Sequence, residues 1–483
     1  MRHLRNAASA GAMILLLGGC AVGPRYVAPV SSAPPAFVGA SAVEARPSAA
    51  EPADLVNWWR SFHDPLLTSL VERALAQNLD LQQAGARVVQ ARAALKNANA
   101  ALLPSGQVSG QAGEAYQSLD TPIGRIGSAF PQFQRRSETY ELDLGASWEV
   151  DLFGGRDAAR DAARADWQAS AAGAVAARLA VAAQTADTYI AIRTLQARLD
   201  VARAQAATQQ QLVDLIALQY RKGIAAEREL RQAEGALAQV RASVPALRNE
   251  LDMAMNALDI LLGVQPGTTR PELIAEAAIP APPAVSTAGG PAALLRRRPD
   301  IIAAERTLAA SNARIGVAVA EYYPKFSLSG LLGSATMAAG GLFTGGATQA
   351  NGVLGLRWRL FDFGRVDAEI KAARGRNAEA LAAYRLTVLR ASQDVEDAFS
   401  TLVQQEARAA ALMQAEASLT RARGASFAAY KGGVASLIEV LDADRRLLEA
   451  RDGAIQARAA ASRGAVASFR ALGGGWDAAP VAG

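Results

Sequence analysis

Few side chains in this 483-residue sequence could carry covalent chemistry. The single cysteine, Cys20, offers a thiol nucleophile able to form a thioether. One cysteine excludes an intrachain disulfide and a cysteine-based zinc site. The two histidines, His3 and His63, nearly exclude histidine-dependent catalysis and a multi-histidine metal centre. There is no Gly-rich phosphate loop and no base beside a nucleophile, and the carboxylates lie scattered on long helical stretches. The expectation is no enzyme, no metal and no cofactor beyond a covalent lipid on Cys20. Lys+Arg is 50 against 45 Asp+Glu, a net charge of +5. Losing Arg2 and Arg5 with a leader would reduce it to +3, a slim excess of base that does not mark a nucleic-acid binder. Arg296-Arg297-Arg298, just before Pro299, reads as a solvated helix start rather than a nucleic-acid contact.

The surroundings of Cys20 suggest what its thiol does. Arg2 and Arg5 give a basic start, and the apolar stretch Ala12–Leu17 is far short of the roughly 20 residues that span a bilayer. Leu17-Gly18-Gly19-Cys20 resembles a bacterial lipoprotein signal, in which small residues admit the peptidase and the cysteine takes lipid. An ordinary signal peptide with an incidental cysteine is the alternative. Residue 21 is Ala rather than Asp, which by resemblance to sorted lipoproteins points to the outer membrane.

The rest of the chain is written twice. Asp80 and Pro104 match Asp300 and Pro324 at an offset of 220; Trp148 and Gly154 match Trp358 and Gly364 at 210. Tyr220-Arg221-Lys222-Gly223 matches Tyr430-Lys431-Gly432-Gly433, again at 210. One connecting loop between Pro104 and Trp148 is therefore ten residues longer in the first half. The expected organisation is a leader at 1–19, a lipidated tether at 20–53, a first repeat at 54–262 and a Pro-rich equatorial linker at 263–291. A second repeat at 292–472 and a tail at 473–483 complete it.

Each half shows the same order of textures. A helical stretch ends at proline. Strict alternation follows, with hairpins expected near 105–152 and 325–362. Tyr140, Leu142, Leu144, Ala146, Trp148, Val150 and Leu152 fall on one face; Glu141, Asp143, Ser147, Glu149 and Asp151 fall on the other. In the second half Leu354, Leu356, Trp358 and Leu360 alternate with Arg357 and Arg359. After Gly154 and Gly364 come about 65 helical residues, roughly 100 Å of helix. A shorter helix follows each of Gly223 and Gly433, the first with heptad spacing from Leu230 to Leu261, completing helical regions at about 155–262 and 364–471. Pro245 inside the first is expected to kink or break it.

Four strands of this length can cross a membrane, but they cannot close a barrel, and an open sheet edge is not tolerated in lipid. Either the strands are soluble, as in a β-sandwich whose buried face also alternates, or several chains build one barrel. In the barrel the Leu/Trp face meets lipid and Glu141, Asp143, Glu149, Asp151, Arg357 and Arg359 face the lumen.

Several segments together carry a family resemblance. They are Cys20–Tyr26, Trp58–Pro65, Arg298–Ile301, Trp358–Gly364, Leu441–Arg445 and Leu472–Trp476. The chain resembles the TolC-like outer-membrane factors, in their lipoprotein branch of multidrug-efflux channels, over nearly its whole mature length. The resemblance implies an α+β membrane protein. Its homotrimer has a twelve-stranded transmembrane β-barrel, four strands per chain, continuous with a long periplasmic coiled-coil barrel. It implies a passive duct, a periplasmic adaptor as partner, and an inner-membrane transporter of the proton-driven RND type. It places Tyr220, Gly223, Tyr430 and Gly433 at adaptor-contacting tips, where the glycines also end the helices. It makes Ile438, Glu439 and Asp442 the periplasmic gate; the alternative is a solvated helix face with Asp442 paired to Arg445 or Arg446. A duct for secreted proteins, or a lipid-anchored coiled-coil envelope protein, are the rival readings. The cargo is not legible.

Overall fold

The structure, a computed structural model, describes residues 22–30, 34–46, 54–287 and 290–477. Cys20, the leader and the last residues of the tail lie outside them. The principal helices are α1 (Pro65–Gln77), α2 (Leu79–Ala100), α3 (Gly155–Arg221), α4 (Glu227–Leu261), α5 (Pro299–Ala320), α6 (Arg365–Lys431) and α7 (Leu437–Ala471). The strands are β1 (Ser105–Tyr116), β2 (Arg136–Val150), β3 (Lys325–Thr336) and β4 (Thr348–Arg357). Element lengths recur: α3 and α6 have 67 residues each, α4 and α7 have 35 each. No described helix is long and apolar enough to cross a membrane.

The chain forms two compact units, and each takes material from both sequence halves. The first comprises residues 1–29, 89–169 and 305–383 and contains the sheet. The strands form one antiparallel meander in the order β1-β2-β3-β4. Its register separates an apolar face from a more polar one, with Leu331 and Val353 on the polar side. Leu144 faces Val108 and Leu332, Trp148 faces Leu328, and Leu328 faces Leu354. On the other face Asp143 lies opposite Ser109 and Gly333, Glu149 opposite Ser327, and Lys325 opposite Arg357. Val108, Leu144, Leu328, Leu332 and Leu354 are all exposed. A sandwich needs a second layer over this face; among the described residues there is one four-stranded sheet and nothing covers it.

Two proposed lumen residues lie beyond the strands. β2 ends at Val150, so Asp151 is outside it; its Oδ2 accepts the Asp157 N–H at 2.8 Å in the first turn of α3. β4 ends at Arg357, and Arg359 pairs with Glu321 at 2.9 Å and Glu369 at 3.5 Å. Helix capping and ion pairing end the alternation earlier than the pattern suggests. Trp148 and Trp358 close both hairpins in the same way, their indole N–H groups donating to Leu102 O and Tyr322 O at 2.9 Å.

The second unit comprises residues 30–88, 170–304 and 384–483. Its core gathers Trp59, Phe62 and Phe469 around Trp58, with Trp58 stacked on Phe469 at 5.5 Å. Asp64 caps α1 through Leu67 N at 2.9 Å and accepts from the Tyr189 hydroxyl at 2.7 Å. Burial, and then the balance of Arg193 and Asp64 bonds, pushes the Tyr189 phenol up to about 12. Glycine lets helices approach closely: a Cβ on Gly464 of α7 would lie 2.9 Å from Leu402 Cα of α6. Pro245 does not break α4, which continues from Glu227 to Leu261 through it. One expectation is corrected here. Arg298 is buried, not solvated; it binds Asp300 and Asp394 at 2.7 and 2.9 Å and the carbonyls of Ala391 and Ala471 at 3.3 Å.

Candidate functional site

The two helix breaks have one geometry. Gly223 has φ +72° and Gly433 φ +73°, the left-handed turn that glycine adopts without a Cβ penalty. The N–H of Gly223 donates to Tyr220 O at 2.9 Å, and that of Gly433 to Tyr430 O at 3.0 Å. Ile224 and Val434 then fold back onto Gln219 O and Ala429 O, both at 2.9 Å. The tyrosines differ. Tyr220 is exposed, whereas Tyr430 is half-buried and donates its hydroxyl to Gln219 Oε1 at 3.1 Å. Burial, with Glu229 nearby, raises the Tyr430 phenol above its ordinary value. Beneath the turns Leu212, Ile216, Leu230, Leu237, Leu437 and Val440 form a buried cluster. Ile224 and Val434 stay exposed at the ends.

The residues expected at the gate begin α7. Ile438 is exposed and lines a cleft with Asp442, Arg445, Gln209, Gln232 and Gln239. Glu439 is not part of that lining. Its carboxylate accepts the Ser436 N–H at 3.1 Å and the Ser436 hydroxyl at 3.0 Å, which hold it below the usual carboxylate range. Glu229 does the same for the Ala226 N–H at 3.0 Å. The Ser436-x-x-Glu439 spacing is a capping signal legible in the sequence. Asp442 pairs with Arg445 at 2.6 Å and Arg446 at 2.7 Å, and the Arg445 bond first lowers its pKa. Within one chain, therefore, both carboxylates are held in the charged form by their own neighbours.

One residue of consequence escaped the sequence reading. Asp444 is fully buried, and its two oxygens are taken by Arg423 of α6 at 2.8 Å and Gln209 of α3 at 3.2 Å. The Arg423 guanidinium also sits over the Phe427 ring. The signal was periodicity: Leu437, Val440, Asp444 and Leu447 form the buried stripe of α7, so the acid stands on the apolar seam.

On the sheet, Glu141, Asp143, Glu149 and Arg357 share the polar face. Asp143 accepts from Gln349 Nε2 at 2.8 Å and Glu149 from Arg156 Nε at 3.1 Å. Close by Cys20, the described chain begins at Val22, whose N–H donates to Phe153 O at 3.4 Å where β2 gives way to α3. The strap continues to Tyr26, whose hydroxyl donates to Glu305 at 2.5 Å. No group of His, Cys, Asp or Glu among the described residues is placed to hold a metal ion.

Comparison with known proteins agrees with this geometry. The family described as outer membrane efflux protein matches residues 70–264 and 290–474. The pyoverdine export outer membrane protein OpmQ of Pseudomonas aeruginosa is 30% identical over 464 residues, 96% of this chain and 95% of that protein. The toluene efflux pump outer membrane protein TtgF of Pseudomonas putida is 30% identical over 479 residues, 96% of both chains. The solved outer-membrane channel OprN superposes with a TM-score of 0.84 at 32% identity, covering 95% of this chain and all of that one. The family model and the relatives together span most of the sequence, and the chain belongs to the outer membrane efflux protein family.

Proposed function

We propose that three copies of this outer-membrane efflux component close one twelve-stranded barrel and form a passive exit duct. The observation that carries this is the open sheet: four strands, two unpaired edges and an exposed apolar face. Lipid satisfies no backbone group, so the edges must pair, and one chain has too few strands to pair its own. The polar face, with Glu141, Asp143, Glu149 and Arg357, then lines the lumen. In a tripartite pump the duct receives small toxic molecules from an inner-membrane transporter of proton-driven RND type. A periplasmic adaptor contacts the tips at Tyr220, Gly223, Tyr430 and Gly433. Ile438 and Asp442, with Glu439 beside them, form the periplasmic constriction. The duct does no covalent chemistry, and Cys20 carries its lipid. Relatives that export pyoverdine and toluene support a small-molecule cargo. The test is the native mass in mild detergent, with detergent subtracted. About three times the mature chain is expected; a monomer would sink the shared barrel.

A further inference from the structure

The described chain begins beside a cleft whose charges are not balanced within the protein. Val22 is pinned to Phe153 O, and the strap then crosses α5 so closely that a Cβ on Gly23 would lie 2.6 Å from Gly316 Cα. Tyr26 ends the crossing on Glu305. Between this strap, the start of α3 and the middle of α5 lies an open cleft of about 610 Å³. Arg25, Arg164, Arg306, Asp157, Asp161 and Asn312 are among its lining.

Most of these charges are matched within the chain. Arg160 binds Asp157 at 2.8 Å and Asp161 at 3.1 Å, and Arg306 pairs with Glu305. Two are not matched. Arg25 and Arg164 are exposed, and among the described residues neither has an acid or a hydrogen-bond partner. Asn312 adds an orphan of its own: its Oδ1 is buried and accepts from no donor, which a buried carbonyl rarely tolerates. The cleft thus offers two free guanidinium groups and one buried acceptor. Its place in the chain says what comes near it. Cys20 is two residues before Val22, so at most about 7 Å of chain separates them. Lipid on Cys20 therefore enters the membrane at the junction of β2 and α3, and the headgroup layer lies at the height of the cleft.

We propose that this cleft seats the headgroup of a phospholipid from the periplasmic leaflet. Arg25 and Arg164 take the phosphate, and Asn312 Oδ1 accepts a hydrogen from the headgroup alcohol or amine. The acyl chains stay in the bilayer beside those on Cys20. This rests on the lipidated Cys20 and the shared barrel of the reading above. The chemistry fits a phosphate, since a guanidinium offers paired N–H donors to two of its oxygens. Basic side chains at the headgroup layer draw anionic lipid. A lipid is favoured over a free anion for two reasons. Exposed arginines hold a soluble anion weakly in salt. A lipid confined to the adjoining leaflet is presented to the cleft at high effective concentration.

The test is native mass spectrometry of the full-length protein purified from outer membranes, stripped of free lipid and titrated with dioleoylphosphatidylglycerol. One lipid per chain should bind ahead of the rest. Arg25→Gln with Arg164→Gln should weaken that lipid about thirtyfold. The native mass of the assembly should not change, because both side chains are exposed and unpaired. Arg25→Lys with Arg164→Lys should restore most of the binding. Dioleoylglycerol, which has the chains without the phosphate, should not occupy the site. Equal binding by the Gln variant and the parent, or equal binding of dioleoylglycerol, overturns the site and leaves the duct standing. Displacement of the lipid by millimolar inorganic phosphate assigns the cleft to a free anion and overturns the lipid. The same spectra check the reading beneath: a denatured chain with no lipid mass on Cys20, or a monomeric native mass, overturns both.

Discussion

Asp444 of α7 and Arg423 of α6 meet at 2.8 Å in the buried layer beneath the helical tips, and Gln209 of α3 takes the second carboxylate oxygen. The carboxylate joins three helices from a face whose other buried members include Leu437, Val440 and Leu447. Removing one partner of a buried pair leaves the other uncompensated, at about 3 kcal/mol where, as for Arg423, some water access remains. Asp444→Ala should raise amide hydrogen exchange in the first turns of α7 by roughly a hundredfold. Sheet amides should not change. Replacing both partners by leucine should recover much of the loss; no recovery would mean the pair is not the cause.

At the gate, Asp442→Ala combined with Glu439→Ala is expected to make cells leakier to vancomycin. Each carboxylate is held by groups of its own chain, so removal both frees Arg445 and Arg446 and uncaps α7. Unchanged vancomycin entry would count against a gate at these residues.

Acid should loosen the same place. Glu439 and Asp442 both titrate below their ordinary values, Glu439 through Ser436 and Asp442 through Arg445. Their support is fully present above the unfolded carboxylate range and is lost as pH falls through the lowered values. Exchange of the α7 N-terminus should therefore quicken below about pH 4, and added salt should mimic part of the effect because Glu439 is exposed and Asp442 only half-buried. An α7 start indifferent to pH from 6 to 3 would contradict it.

Asp187 predicts the opposite sign. Burial raises its pKa despite Arg463 and Arg470, and Arg463 stands at 3.7 Å. The folded state then holds the proton more tightly than the unfolded one, so stability falls as pH rises between the unfolded and folded values. Asp187→Asn should remove that fall and leave the protein at least as stable at pH 7 in thermal melts. Clear destabilisation would show that the ion pair outweighs burial.

Two glycines test helix contact. Gly464→Ala puts a methyl 2.9 Å from the Leu402 backbone and should cost about 1–3 kcal/mol by forcing α6 from α7. Gly424→Ala meets nothing within 4 Å and should stabilise by up to about 1 kcal/mol. Similar melting shifts for both would remove close approach as the explanation.

Much of the fold was legible because its signals are local. Alternation between Tyr140 and Val150 gives the strand and its two faces, since successive side chains point oppositely whatever the strand pairs with. Tyr-x-x-Gly at Tyr220 and Tyr430 marks the tips, since a left-handed turn after a long helix needs glycine. The repetition gives the order of elements in both halves. Only the tertiary structure decided what depends on distant partners. The pairing of β2 with β3 joins residues nearly two hundred positions apart, and it alone shows that the apolar face is left uncovered. Asp151 and Arg359 continue the alternation but serve a helix start and an ion pair, because hydrogen bonds and not periodicity end a strand. Arg298 reads as one of three solvated arginines until two carboxylates and two helix carbonyls close around it. Asp444 reads as a neighbour of Asp442 until Arg423 and Gln209 arrive from other helices. Periodicity says which way a side chain points; only the packed chain says what stands there to meet it.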